Sequence, residues 1–112
     1  LWNRRRCAAR RNEEEGVSRE KLSDAEISAA MAQLDGWRYR NGKLHREFTF
    51  KDFVHAWGFM SSCALVAEAM NHHPDWSNVW NRVNVELMTH DAGGVTKNDI
   101  ELARRMNEIA AR

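Results

Sequence analysis

The stretch that most restricts the fold runs from Asp52 to Asn71, where apolar residues recur at helical spacing on two sides of what must be one helix. Phe53, Trp57, Met60, Ala64 and Ala67 form one stripe, and Phe59, Cys63, Val66 and Met70 form a second. Asp52 supplies an N-terminal cap, and the helical pattern runs out at His72-His73-Pro74, because proline lacks the N–H a helix needs. A helix apolar round most of its girth cannot satisfy both sides by lying on one sheet, so other chain has to cover the second. The whole chain has 112 residues, enough for one core and too few for two domains, which leaves little to do the covering. The expectation is therefore a homodimer or homotetramer through the 52–71 helix, with Phe59, Cys63, Val66 and Met70 on the shared side. A wholly intramolecular core helix is the other reading.

The remaining elements follow in chain order. Ser23-Asp24-Ala25-Glu26 is a capping box, with Leu22 and Ile27 as its hydrophobic staple, and Ile27, Ala30, Met31 and Leu34 mark the inward side of a first helix that Asp35-Gly36 stops. Trp37 to Arg40 and Leu44 to Phe50 alternate around Asn41-Gly42, the pair that supplies the positive φ angles of a two-residue type I′ hairpin. Leu44, Phe48 and Phe50 share one face, and His45, Glu47 and Thr49 share the other, so His45 reads as a solvated strand residue. After Pro74, Asn78 to Trp80 reads as a short strand, and Val83, Val85 and Leu87 alternate with Asn84, Glu86 and Met88. Gly93-Gly94 permits a sharp turn, and Thr96-Lys97-Asn98-Asp99 is a second capping box, opening a helix that carries Leu102, Ala103, Met106 and Ile109 inward. The order α-β-β-α-β-β-α gives an α+β fold, a four-stranded antiparallel sheet with three helices packed on one face.

Charge and cysteine usage narrow the function classes. The formal net charge is +1 with the signs mixed, which offers no case for nucleic acid or a membrane surface as a direct partner. Cys7 and Cys63 lie in unlike settings and form no disulfide framework, so a reducing, cytoplasmic setting is expected. No apolar run is expected to reach the roughly 20 residues of a membrane span, and no signal-peptide core is present. Residues 1–21 carry a basic block, Arg4-Arg5-Arg6 and Arg10-Arg11, then Glu13-Glu14-Glu15, without apolar periodicity. They read as a mobile arm before a domain spanning 22–112. The acidic run argues against a transit peptide, and the shortness argues against a nucleic-acid arm.

Chemistry concentrates at two places, Glu68 to Trp76 and Thr89-His90-Asp91. Two adjacent histidines sit where a helix meets a proline, and a third ends an alternating strand, so three imidazoles are expected at one mouth. Imidazole gives and takes protons near neutrality, its unperturbed pKa being about 6.5. Neighbouring histidines rarely both ligate one ion, and no carboxylate or thiolate obviously completes a sphere, so no metal is expected. Cys63 has no activating partner nearby in sequence, which disfavours covalent catalysis. Glu68, four residues before His72, is placed to orient that imidazole, or else is a surface carboxylate. For Asp99 helix capping is the stronger reading, and for Trp76 and Trp80 packing is the default, with an aromatic wall for a flat ligand as the alternative. The residues by themselves thus lead to a metal-free acid/base pocket of His72, His73 and His90.

The string Ala67-Glu68-Ala69-Met70-Asn71-His72-His73-Pro74-Asp75-Trp76, with Asn78-Val79, Thr89-His90-Asp91, Gly94, Thr96 and Asp99, resembles the signature of the pterin-4a-carbinolamine dehydratase family. Phe50-Lys51-Asp52-Phe53 and Gly58-Phe59-Met60 extend the resemblance, which runs from Leu22 to Ala110. It implies a hydro-lyase that dehydrates 4a-hydroxytetrahydropterin to quinonoid dihydropterin, recycling the pterin of aromatic amino acid hydroxylases without a cofactor. It further implies that His72 and His90 are the acid/base pair, that His73 binds the pterin, and that Glu68 is a supporting carboxylate. Asn71, Pro74 and Trp76 match positions around the pterin, as do Met88, Thr89 and Asp91. Asn98 departs from members that place arginine there, which puts a charge-assisted contact at that position in doubt. The family also implies a competing role, as a dimerisation cofactor of a transcription factor through the long helix. A pterin-binding protein with another role is the third reading.

Overall fold

The computed structural model describes residues 20–112; the expected arm, residues 1–21, lies almost wholly outside them. The described chain runs α1 (Asp24–Met31), β1 (Arg38–Arg40), β2 (Lys43–Thr49), α2 (Phe53–Met70), β3 (Asp75–Val79), β4 (Arg82–Leu87), a 3-10 turn (His90–Ala92) and α3 (Lys97–Ala110). The four strands form one sheet in the order β1-β2-β4-β3, with every neighbouring pair antiparallel. The architecture is the expected α+β arrangement of three helices and a four-stranded antiparallel sheet.

Period-two alternation explains how the sheet divides inside from outside. Leu44 and Phe48 of β2 and Val83, Val85 and Leu87 of β4 are buried against Ile27 of α1, Phe59 and Cys63 of α2, and Leu102 and Met106 of α3. Register pairs Leu44 with Leu87 and Phe48 with Val83, so the two central strands present an apolar face, interrupted by Arg46 opposite Val85. The opposite face carries Lys43, His45, Glu47, Asn84 and Glu86, and it stays polar. The hairpin between β1 and β2 turns at Asn41 (φ 53°) and Gly42 (φ 75°), as the type I′ reading requires.

Three expectations need correction. β3 begins at Asp75, three residues before the expected Asn78 start, because Asp75, Trp76 and Ser77 pair with Glu86, Val85 and Asn84 of β4. Backbone pairing with a neighbour makes the strand here, against weak local propensity. The sides of α2 are also reversed. Ala56, Phe59, Cys63 and Ala67 face the core, while Val54 (74% exposed), Trp57 (56%) and Leu65 (75%) face outward with Phe53. The side rich in small residues is the one that lets the helix approach its neighbours closely. Finally, α2 is long and apolar enough, at 18 residues and a mean hydropathy of 1.2, to cross a membrane by length and composition. Its inner side is instead taken up by the core of the domain.

Arg46 shares the inner face of β2, between Leu44 and Phe48, and its half-buried guanidinium lies 4.2 Å over the Phe48 ring. Burial lowers its pKa from the ordinary value. Arg46 Nη1 donates to the Asp35 carbonyl at 2.8 Å and to Asn107 Oδ1 at 2.5 Å, and Trp37 Nε1 donates to the same Asn107 oxygen at 2.8 Å. Gly36 (φ 83°) makes the close approach possible, since a Cβ there would sit 2.7 Å from the guanidinium carbon. Asn107 thus ties α3 to the loop after α1. Asn107→Ala should leave two donors without their acceptor and lower stability by about 1–3 kcal/mol. Urea denaturation should show a lower midpoint at unchanged m-value.

Candidate active site

The end of α2 sets the site. Asn71 caps the helix in the left-handed region at φ 51°, its N–H bonding to the Ala67 and Glu68 carbonyls, and the His72 N–H returns to Ala67 O at 3.0 Å. Asparagine tolerates this conformation better than other residues with a side chain. The chain then leaves extended, so His72 and His73 point to opposite sides: His72 is buried and His73 is exposed. Pro74 prevents the helix from continuing, and β3 starts at the next residue.

His72 Nε2 lies 2.5 Å from Asp99 Oδ1. Asp99, in the first turn of α3, is fully buried, and its Oδ2 accepts from the Thr96 N–H and from Thr89 Oγ1, each at 2.9 Å. Thr89 and Thr96 are themselves joined hydroxyl to hydroxyl at 2.8 Å. Because Thr89 spends its proton on the carboxylate, Thr96 must be the donor in that last bond. An ionised Asp99 can only accept, so His72 carries its proton on Nε2 and Nδ1 is left as the acid/base atom of the ring.

Thr89 also fixes His90. The backbone of Thr89 pairs with Gly94 in both directions, at 2.9 and 3.3 Å, and Gly93 takes φ 73° to close the 3-10 turn that His90 begins. With Thr89 turned inward to Asp99, His90 turns outward, onto the side that Glu86 and Met88 of the β4 line already occupy. Lys43, His73, Asp75, Glu86, Met88 and His90 together line a small cleft at this end of the sheet's open face.

Of the three imidazoles expected at one mouth, the cleft walls carry His73 and His90; His72 is not among them, and it is held by Asp99. Of the two readings of Glu68, the surface carboxylate fits its exposure, and its Oε1 lies 2.8 Å from His73 Nε2. The left-handed turn at Asn71 breaks the i, i+4 geometry that would have aligned Glu68 with His72. Met88 lines the cleft, Thr89 belongs to the Asp99 network, Pro74 is half-buried, and Asn71 and Asp91 are exposed. Trp76 packs against the core, and exposed Trp80 (φ 50°) sits in the β3–β4 turn, so neither walls the cleft. Asp99 as partner of His72 was hidden behind its capping pattern, while Glu86 could have been found by counting back in twos from His90. Burial pushes the Cys63 thiol up to about 12, leaving no thiolate for covalent chemistry near neutrality. Among the described residues no three His, Cys, Asp or Glu side chains are grouped to hold a metal ion.

Comparison with known proteins gives the family. The model of the family described as pterin 4 alpha carbinolamine dehydratase matches residues 20–109. A protein of Solibacter usitatus named for the same dehydratase is 55% identical over 91 residues, covering 81% of this chain and 96% of its own. One of Afipia carboxidovorans, named alike, is 55% identical over 93 residues, covering 81% and 93%. The crystal structure of a transcriptional coactivator/pterin dehydratase from Brucella melitensis superposes with a TM-score of 0.80 at 47% identity, covering 81% of this chain and 99% of that one. A pterin dehydratase-like RuBisCO assembly factor of the alpha-carboxysome, at 20% identity and TM-score 0.55, shares the fold, with 66% and 86% covered. The chain belongs to the pterin-4a-carbinolamine dehydratase family, a family of hydro-lyases.

The two histidine–carboxylate pairs at this site, His72–Asp99 and His73–Glu68, should behave differently. Asp99→Ala removes a buried acceptor from His72, Thr96 and Thr89 and should cost about 3–5 kcal/mol, read by urea denaturation. Glu68→Ala breaks an exposed pair and should cost less than about 1 kcal/mol.

Proposed function

We propose that this chain removes water from a 4a-hydroxytetrahydropterin to give quinonoid dihydropterin. The observation that carries the reading is the cleft faced by His73 and His90; His72, the residue before His73, is held by the Asp99–Thr89 network. In the reaction the C4a–O bond breaks as the hydroxyl takes a proton and departs as water. N5 loses its proton, and its electron pair forms the C4a=N5 double bond. No net oxidation occurs, so proton donors and acceptors near neutral pKa suffice. His90 through its ring, and His72 when it carries a second proton on Nδ1, act as alternative acids toward the two faces of the pterin. His73, steadied by Glu68, holds the ring in place.

Removing one of two alternative acids leaves the other working on its own face. His72→Ala and His90→Ala should each lower kcat by about 10- to 100-fold, and the double variant should lose nearly all turnover. His73→Ala should raise KM more than it lowers kcat. Steady-state kinetics on the carbinolamine, with circular dichroism to confirm folding, checks this. Full activity in both single variants would sink the histidine mechanism. Measured turnover by the wild type would likewise set aside a pterin carrier without chemistry.

We also propose that the outer side of α2 mediates self-association. Val54, Trp57 and Leu65, with Phe53, would otherwise stand as an apolar stripe in water. The Brucella melitensis protein is called a transcriptional coactivator as well as a pterin dehydratase, and a partner's helix would use the same stripe. Light scattering should give a dimer or tetramer for the wild type and a smaller species for Trp57→Glu combined with Leu65→Glu. A wild-type monomer at micromolar concentration contradicts self-association.

A further inference from the structure

We infer that Glu86 and Lys43 form the edge that selects the 2-amino-4-oxo pyrimidine half of the substrate, a specificity role for residues outside the histidine set. It rests on the dehydratase reading above and adds which part of the ring the cleft reads.

The placement follows from the alternation of β4. Val83, Val85 and Leu87 point into the core, so Glu86 and, after the strand, Met88 point onto the open face, in line with His90. Glu86 pairs across the sheet with His45 on one side and Asp75 on the other. Lys43 opens β2 just before Leu44, the partner of Leu87, and its Nζ reaches to 3.8 Å from Glu86 Oε1. That separation is too long for a hydrogen bond, so neither head group is used up by the other. Both side chains remain partly exposed, at 34% and 42%, and both line the cleft with His73 and His90.

The chemistry of the ring edge matches this pair. A pterin presents an amino group at C2 and an N3–H side by side, two donors pointing the same way, and next to them the C4 carbonyl, an acceptor. A carboxylate offers two acceptor oxygens for two parallel donors, while an ammonium offers only donors. Glu86 is suited to N2–H and N3–H, and neighbouring Lys43 to O4. C4 is bonded to C4a, so a ring anchored by this edge turns its reacting carbon toward the histidine end of the cleft. Lumazine, with a carbonyl at C2 in place of the amino group, would turn an acceptor toward the carboxylate, and a site built for donors rejects it.

The test uses the full chain and two unreactive probes, pterin and lumazine, with affinities read by fluorescence quenching, alongside carbinolamine kinetics. The wild type should prefer pterin over lumazine by at least about 10-fold, and Glu86→Gln should shrink that preference to within about 3-fold. Glu86→Gln should raise KM for the carbinolamine by about 10-fold or more with kcat within about 3-fold, a split that a general loss of folding would not give. Lys43→Met should weaken both probes, because both carry the C4 carbonyl. If the wild type turns over the carbinolamine while Glu86→Gln keeps its preference and its KM, the assignment is overturned and the dehydratase reading stands. Loss of the preference in Asp75→Asn but not in Glu86→Gln would also overturn it, moving the recognition one strand over. A wild type that neither binds pterin nor turns over the carbinolamine would overturn both.

Discussion

The buried carboxylate of Asp99 is the interaction on which the rest of the site depends. It takes hydrogen bonds from His72 past the end of α2, Thr89 past the end of β4, and Thr96 at the start of α3. Three chain reversals therefore converge on one side chain. A buried carboxylate is costly unless its lone pairs are used, and here both oxygens are occupied. The same bonds that lower that cost set the His72 tautomer and turn Thr89 inward, which sends His90 to the opposite side.

Sheet alternation does the rest. A strand with one face in the core must place its other face in solvent, and β4 carries this on into the 89–90 segment that leaves the sheet. Core and cleft are thus two faces of one strand: Val83, Val85 and Leu87 hold it in place, and outward Glu86 lines the cleft. A register slip by one residue would exchange the two sets, so the apolar pairs Leu44–Leu87 and Phe48–Val83 specify the site's geometry as well as the core.

Much of this was legible in the sequence. The Asn41-Gly42 turn, the Ser23 capping box and the α+β order rest on local chemistry, and they appear as local chemistry dictates. The histidines were legible as candidates, but their partners were not. Asp99 already had a sufficient local explanation as a cap, and His72, which it also binds, lies 27 residues away. Glu68 was matched to His72 by helical spacing, which assumes a helix that Asn71 has already ended. For α2, periodicity revealed two apolar stripes without ranking them. Side-chain size decides: Ala56, Cys63 and Ala67 let the helix sit close to the core, whereas Trp57 and Leu65 on that side would hold it away.

The same helix couples the proposed assembly surface to the chemistry. Its outer side presents Trp57 and Leu65, its inner side packs on the sheet, and its last turn delivers Glu68, Asn71 and the two histidines. Packing Ala56, Phe59, Cys63 and Ala67 against the core leaves little freedom for rotation about the helix axis, since the interior is close-packed and small shifts are resisted. A partner bound to the outer side would therefore act on a rigid rod. Its effect on His73, whose orienting carboxylate Glu68 lies on the helix itself, would be more direct than its effect on His72, which is anchored from α3 by Asp99.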